Sequence, residues 1–485
     1  MSYFIVEFPL KTVMWQEHIL DKRFEIARHL YNSLANVMLK RYLEMIKTKK
    51  YRQLMEDLKS GDLEKKEAAK VAMNKWRKEL NFSEFGFMKE IKDMRNIFKK
   101  NIDANVGQNI ASNVWKAFEK LIFGNGTKIH FKKYGELNTV QGTTNKSGIR
   151  FFPEKRLMTW NKLSIPVLIN DKKMYEVEAL SNRVVYSTIV RKTIKNKNRY
   201  FLQVTFDGIP PRKIDKETGM FKHNLGNGDV GVFITPSTLY AVGENGILVR
   251  KLAEGVQSIE NDIRSLMRKM ERSRRIKNSE NFNADGTIKV IKGKRLVWNN
   301  SKHYLKMQQE LKSLYRKQAV TRKIEHHKLV YELLELGDKF YFEKTDFVAL
   351  ARKKNKTETD EKTGKIKSKK RFGKVIGNRA PSMLVDILKR KLIAYDEELS
   401  IIRLKKGKDF QRVDSFDHLT GLCNVHTEKQ FKQIGEDNIQ RFLYNAFLLQ
   451  NTDANKLNKI DTEKCIERFD TFKTMHDIYL ENLNN

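Results

Sequence analysis

Cysteine is nearly absent: Cys423 and Cys465 are the only two in 485 residues. Neither a disulfide framework nor a four-cysteine zinc ribbon can be assembled from them. Proline is almost as scarce, seven in all with none between Pro9 and Pro153, so helices can run through that span without interruption. No run of eighteen apolar residues occurs and no signal peptide is visible near Met1. Neither a membrane span nor export is therefore expected, and the cytoplasm is the expected compartment. Negative charge is also in short supply, with 59 Asp plus Glu against 95 Lys plus Arg, a formal charge of +36. A polyanion is the natural partner of such a chain, and without a membrane anchor that polyanion is nucleic acid. The hydrophobic fraction of 40% suits a folded protein, and the length suits several packed units.

Tyr3–Phe8 is β-rich and stopped by Pro9, which marks a strand. From residue 15 to 124 apolar side chains recur at helical spacing, Ala27, Leu30, Leu34 and Val37 among them, and the span ends in an amphipathic helix over Asn105–Phe123. Short β-type runs follow at Lys128–Lys132, Ile149–Phe152 and Leu163–Ile169, and then a hairpin of Val184–Ile194 with Arg199–Phe206. The pattern predicts an antiparallel barrel that uses the N-terminal strand and takes the helical lobe as an insertion. Asp207–Pro211 is a linker. Beyond it, Val256, Ile259, Ile263, Leu266 and Met270 share one helical face, and a second helix is expected over Ser301–Leu336. Lys353–Lys374 is polar and charged and is expected to be a mobile loop. The expected boundaries are 1–14 and 125–222 for the barrel, 15–124 for the helical lobe and 223–485 for the last unit.

Three segments of that last unit bear on chemistry. Gly231-Val232-Phe233-Ile234-Thr235-Pro236-Ser237-Thr238-Leu239 resembles the first strand of a RuvC-type nuclease, which in transposon-encoded TnpB proteins reads G-I-D-I-G-P-S-T-I. Phe340-Tyr341-Phe342-Glu343 keeps the family's middle acid. Gln440-Arg441-Phe442-Leu443-Tyr444-Asn445-Ala446-Phe447-Leu448 resembles the segment Q-R-D-L-Y-S-A-F-L with the last one. Phe233 and Phe442 thus stand where the family has aspartates. The segments occur in family order, and from about Gly226 onward the chain is similar to TnpB; before that the likeness is one of organisation.

The resemblance implies an α/β multidomain fold: an RNase H-like RuvC domain with a long helical insertion, a β-barrel wedge domain and an inserted helical recognition lobe. RuvC-type cleavage holds two metal ions about 4 Å apart between converging carboxylates. A phenyl ring offers no lone pair to magnesium, so the chain is expected to be a nuclease-dead relative in which Phe233, Glu343 and Phe442 mark a degenerate site and no catalytic magnesium is held. Asp229 lies about 13 Å along the strand from Phe233 and cannot substitute, and Asp437 is a poor replacement as well. Relatives carry paired cysteines before the last acid, whereas His418, Cys423 and His426 match no common zinc spacing, so no structural zinc is expected.

TnpB proteins bind a structured RNA whose guide segment pairs with target DNA beside a short adjacent motif. The resemblance therefore implies guide RNA and double-stranded DNA as partners, a place at the bacterial nucleoid, and repression by promoter occupancy. Gln108, Asn113 and Lys116 are candidates for reading the motif. Arg191, Lys192, Lys195, Lys197 and Arg199 on the hairpin, Arg272, Arg274 and Arg275 on a helix, and Lys367, Lys369, Lys370 and Arg371 in the charged loop are candidates for phosphate contact. Two other readings stay open: an RNA-guided endonuclease with relocated acids, which needs Asp229 or Asp437 at a metal, and an RNA-binding transposition accessory that never engages duplex DNA.

Overall fold

The computed structural model describes residues 3–122, 126–194, 197–215, 217–291, 293–352, 372–395, 397–406, 409–410, 412–421, 430–453 and 455–484. The chain is mixed α/β and divides into two compact units, Met1–Pro211 and Arg212–Asn485.

In the first unit β1 (Tyr3–Pro9) leads into helices α1 (Met14–Lys47), α2 (Lys49–Asp57), α3 (Leu63–Glu79), α4 (Glu84–Asn96) and α5 (Ala104–Ile122). Polar side chains start them where the sequence allows: Asp62 accepts from the N–H groups of Glu64 and Lys65 to cap α3, and Ser83 accepts from Gly86 N–H to cap α4. Strands β2 (Thr139–Gln141), β3 (Ile149–Phe152), β4 (Leu157–Trp160) and β5 (Leu163–Pro166) come next. The short α6 (Met174–Ala179) and the hairpin of β6 (Val184–Ile194) and β7 (Lys197–Asp207) complete the unit.

β1 pairs antiparallel with β7 from Tyr3↔Asp207 to Pro9↔Phe201. The helices are thus inserted between a strand and its partners. The sheet order is β1-β7-β6-β2, with β3-β4-β5 as a separate meander. The expected single barrel is two antiparallel sheets joined by the bridge Leu10↔Val167. Pro9 has no N–H with which to continue the ladder, and its carbonyl instead accepts from Leu168 N–H at 2.9 Å. The expected strand at Lys128–Lys132 does not form. Side chains of α1 take its backbone instead: Lys132 N–H donates to Asn32 Oδ1 at 2.9 Å and Asn32 Nδ2 donates to the Lys132 carbonyl at 2.8 Å.

The second unit opens with β8 (Asp229–Ile234), β9 (Thr238–Gly243) and β10 (Gly246–Lys251). The long helices α7 (Val256–Lys277) and α8 (Lys302–Leu336) follow, then β11 (Lys339–Glu343) and helices α9 (Phe347–Ala351), α10 (Gly373–Arg379) and α11 (Pro381–Ile393). After them come β12 (Leu399–Ile402), the two-residue pair β13 (Lys405–Lys406) and β14 (Asp409–Phe410), the hairpin β15 (Phe431–Ile434) and β16 (Asp437–Gln440), and helices α12 (Arg441–Gln450) and α13 (Thr462–Asn484). Residues 353–371 of the expected charged loop lie outside the described residues. The end of that loop is helical: Gly373–Arg379 forms α10, held by Glu260, which pairs with Lys374 at 2.7 Å and accepts from Asn378.

The main sheet has the order β10-β9-β8-β11-β12; β9 is antiparallel to both of its neighbours, the central β8 and the edge strand β10, while β11 is parallel to β8 and β12 to β11. Both of its faces are covered, as a sheet with parallel strands requires. Val230, Val232 and Ile234 pack with Leu329 and Leu333 of α8 and Leu388 of α11. On the opposite face Phe233 and Tyr341 pack with α12. Gly231 is the point of closest approach: a Cβ there would lie 1.9 Å from the Ala446 carbonyl oxygen and 2.2 Å from Gln450 N. Gly231→Ala must push α12 off the sheet, and overpacking of this kind costs about 3 kcal/mol. A correspondingly lower midpoint in denaturant is expected for the second unit; an unchanged midpoint would show that α12 does not lie on β8 in this way.

Candidate functional site

The two phenylalanines meet. Phe233, near the C-terminal end of β8, and Phe442, in the first turn of α12, stack with ring centroids 5.6 Å apart and planes 10° from parallel. Tyr240 of β9, opposite Phe233 in the antiparallel register, closes a third side with its ring 5.1 Å from that of Phe442. Phe233 is only 5% exposed, and burying such a ring contributes about 1.5–3 kcal/mol. Sequence dictates the arrangement locally. A β-type run places Phe233 on the face opposite Val232, and Gln440 caps α12 by accepting from Leu443 N–H at 2.7 Å.

Glu343, the one acid among the three expected positions, is on the next strand. β11 runs parallel to β8 with Phe342 opposite Val232, so Glu343 comes level with Phe233 and shares its face. Its Oε1 accepts from Val413 N–H at 2.9 Å. Arg412 approaches Oε2 at 3.7 Å, too far for a hydrogen bond. Burial pushes the Glu343 carboxyl above the usual range, against the pull of the Val413 amide and Arg412, and Asp414 adds to the rise. Asp414 is the residue that sequence reasoning missed. It pairs with Arg441 of α12 and accepts from Asn445 Nδ2 at 2.8 Å. Burial opposes its charge, yet Arg441, Asn445 and Lys432 hold its carboxyl below the ordinary value. The signal was in the quoted segment: Arg441 and Asn445, four apart, share one face of α12.

A magnesium pair does not fit residues 233, 343 and 442. Two of the three have no oxygen donor, and the third already accepts one backbone amide. The acids that could have relocated are engaged elsewhere. Asp229 accepts from Tyr341 Oη at 3.2 Å and pairs with Lys464 at 2.8 Å, at the far end of β8 from Phe233. Asp437 of β16 pairs with Lys473 at 2.5 Å. Among the described residues no group of three His, Cys, Asp or Glu side chains converges. Cys423 and His426 lie outside the described residues, while His418 is buried against Tyr444, with 2.8 Å between Nδ1 and Oη.

Not every basic candidate can reach a nucleic acid. Arg191 cannot: it is 7% exposed, pairs with Asp21 at 2.7 Å and donates to the Leu137 carbonyl at 3.1 Å. Its place in β6 turns it inward with Ile189. Lys192, on the outer face, pairs with Glu7 and lies 4.6 Å over the Phe201 ring. Lys197 and Arg199 are exposed on β7, and Arg272 is exposed on α7. Arg274 and Arg275 pair with Glu271 at 3.4 and 3.1 Å and stack over Trp298 and Phe282. Gln108, Asn113 and Lys116 are exposed along α5, with Asn113 donating to Asn109 at 2.9 Å. Lys195, Lys367, Lys369, Lys370 and Arg371 lie outside the described residues.

No family model matches the chain, and no curated protein matches it. Among solved structures it is similar to a chain in a cryo-EM structure of a Cas12f1–sgRNA–target DNA complex, at 11% identity and a TM-score of 0.39, over 94% of this chain and 99% of that one. A chain in a cryo-EM structure of a CRISPR-Cas12f ternary complex is similar at 11% identity and a TM-score of 0.26, over 93% of this chain and 84% of that one. No helix among the described residues is long and apolar enough to cross a membrane.

Two outcomes are expected. Phe233→Ala should cost about 3–5 kcal/mol of stability in denaturant unfolding, and a double-mutant cycle with Phe442→Ala should return a coupling of about 0.5–1.5 kcal/mol; additive effects would mean that the rings do not stack. For Glu343 the folded carboxyl has the higher pKa, so its burden on stability is absent below the unfolded value near 4.5 and grows as pH rises through the folded one. Glu343→Gln, which can still accept from Val413, should therefore stabilise the protein at neutral pH and lose that advantage in acid. An equal effect at both pH values would contradict the buried, strained carboxylate.

Proposed function

We propose that this chain is an RNA-guided, sequence-specific DNA-binding protein that does not cleave DNA, similar to the nuclease-dead members of the TnpB family, and that it represses transcription by occupying promoters. The observation that carries the reading is the parallel stack of Phe233 on Phe442. It fills, with apolar surface, the place where a RuvC-like unit would gather its carboxylates. The mixed sheet supports the RNase H-like assignment, because β8 and β11 run parallel and bring residues 233 and 343 level at their C-terminal ends, the end at which such sheets carry their sites.

The charge of +36 supports polyanionic partners, a guide RNA and a duplex carrying a short adjacent motif. The lysine pairings of Asp229 and Asp437 weigh against relocated acids. Neither magnesium nor zinc is part of the proposed mechanism. Guide pairing selects the site, protein contacts hold the duplex, and bulk at a promoter blocks RNA polymerase.

The test is to capture the protein from its source, sequence the RNA bound to it and map its chromosomal occupancy, with transcripts compared after deletion. Guide-matched peaks over intact DNA, with higher transcription of the adjoining genes in the deletion strain, are expected. Bound RNA without peaks would replace this reading by the accessory one, and strand breaks at the peaks would replace it by a nuclease.

A further inference from the structure

Ahead of β8 the second unit doubles back on itself. Ile214 bridges Phe221, and Lys222 N–H donates to the Lys213 carbonyl at 2.8 Å, so Lys213 and Lys222 stand side by side. The small hairpin leans on α8 and α11 through aromatic contacts. His223 stacks on Tyr331 with ring centroids 3.4 Å apart and planes at 13°, Lys391 Nζ donates to Tyr331 Oη at 2.8 Å, and Tyr395 Oη donates to the His223 carbonyl at 3.1 Å. Arg212 lies 3.5 Å over the Phe221 ring and 4.3 Å over that of Tyr395.

The electrostatics are one-sided. Burial, then Lys391, Lys323, Arg390 and Lys213, bring the His327 imidazole down to about 4. Burial, then Lys391, Lys213 and Lys222, lower that of His223. The charges that lower both rings are cationic. Burial also lowers the Lys391 ammonium. The Asp215 carboxylate, which Lys222 helps to lower, is turned back onto the N–H groups of Glu217 and Thr218. Lys192 and Lys374 each pair with a glutamate, whereas among the described residues none of these five cations forms an ion pair with a carboxylate.

We propose that the cluster of Lys213, Lys222, Lys323, Arg390 and Lys391, braced by Tyr331 and His223, grips phosphates of an RNA backbone. Like charges gathered on one surface repel one another and weaken the free protein, and a bound polyanion offsets that repulsion. The proposal rests on the RNA-guided reading in one respect: there the guide is the resident polyanion and duplex DNA the transient one, so the constant counter-charge is RNA.

The test compares the wild type with a variant carrying Lys213→Gln, Lys222→Gln, Lys323→Gln and Arg390→Gln, all at exposed positions. Binding of poly(U) RNA and of a DNA duplex is titrated across salt, and thermal unfolding of the RNA-free proteins is recorded. Poly(U) affinity should fall at least tenfold, and the salt slope should shrink by about 3, as expected for four lost phosphate contacts on a single strand. The RNA-free variant should unfold at the same or a higher temperature. Unchanged poly(U) affinity and slope, with the wild type still binding RNA, would overturn the site and leave the RNA-guided reading standing. Loss confined to the duplex would overturn the choice of RNA. A variant less stable than the wild type would overturn the repulsion that motivates the site, and a wild type that binds no RNA would overturn both proposals.

Discussion

The close approach of α12 to β8 organises the second unit. With no side chain at Gly231, the helix backbone comes down on the strand until a Cβ would overlap the Ala446 carbonyl. A helix turn of four residues rises about 6 Å, and two residues of a strand span about 6.6 Å, so the two elements stay in step. Phe442 meets Phe233, Ala446 meets Gly231, and Gln450 Nε2 donates to the Asp229 carbonyl at 3.1 Å. The same geometry sets Arg441 and Asn445 on Asp414, whose neighbour Val413 donates to Glu343. A geometry of this kind suits any chemistry that needs groups from a strand end and a helix start in one small volume. Here the groups are phenyl rings, and what they supply is cohesion.

The acids around that volume are spread out and satisfied singly. Asp229, Asp414 and Asp437 each have a lysine or arginine. Glu343 has a backbone amide and a more distant guanidinium, and burial leaves it the least comfortable of the four. A metal site works the other way round, crowding carboxylates that only a cation can reconcile. On the proposed reading the chain has exchanged that tension for packing, while its surplus of positive charge serves to hold nucleic acid.

Much of this was legible in the sequence. The apolar spacing of Val256–Met270 is a strong periodic signal, and the helix is present; the strand around Phe233 was expected from the resemblance of Gly231–Leu239, and it is present too. The quoted segments lie where β8, β11 and α12 form, and Phe233 and Phe442 touch although about two hundred residues separate them. What failed has physical causes. Lys128–Lys132 has β-type composition, but side chains of α1 compete for its backbone. Arg191 was read as part of a basic cluster, although the period of two along β6 turns it inward with Ile189. The cationic cluster was invisible because Lys213, Lys323 and Lys391 lie on three separate elements and no local pattern joins them. Asp414 lies in a short turn that carries no periodic signal.

On the proposed reading the protein holds guide-matched duplex DNA and has no means to cut it. The most direct measurement loads the purified protein with its own RNA, adds a duplex matched to the guide together with magnesium or manganese, and follows retention and integrity of the DNA in the same reaction. The account predicts a duplex that is retained and remains whole at every metal concentration. Cleavage that appears with metal and vanishes with a chelator would contradict it.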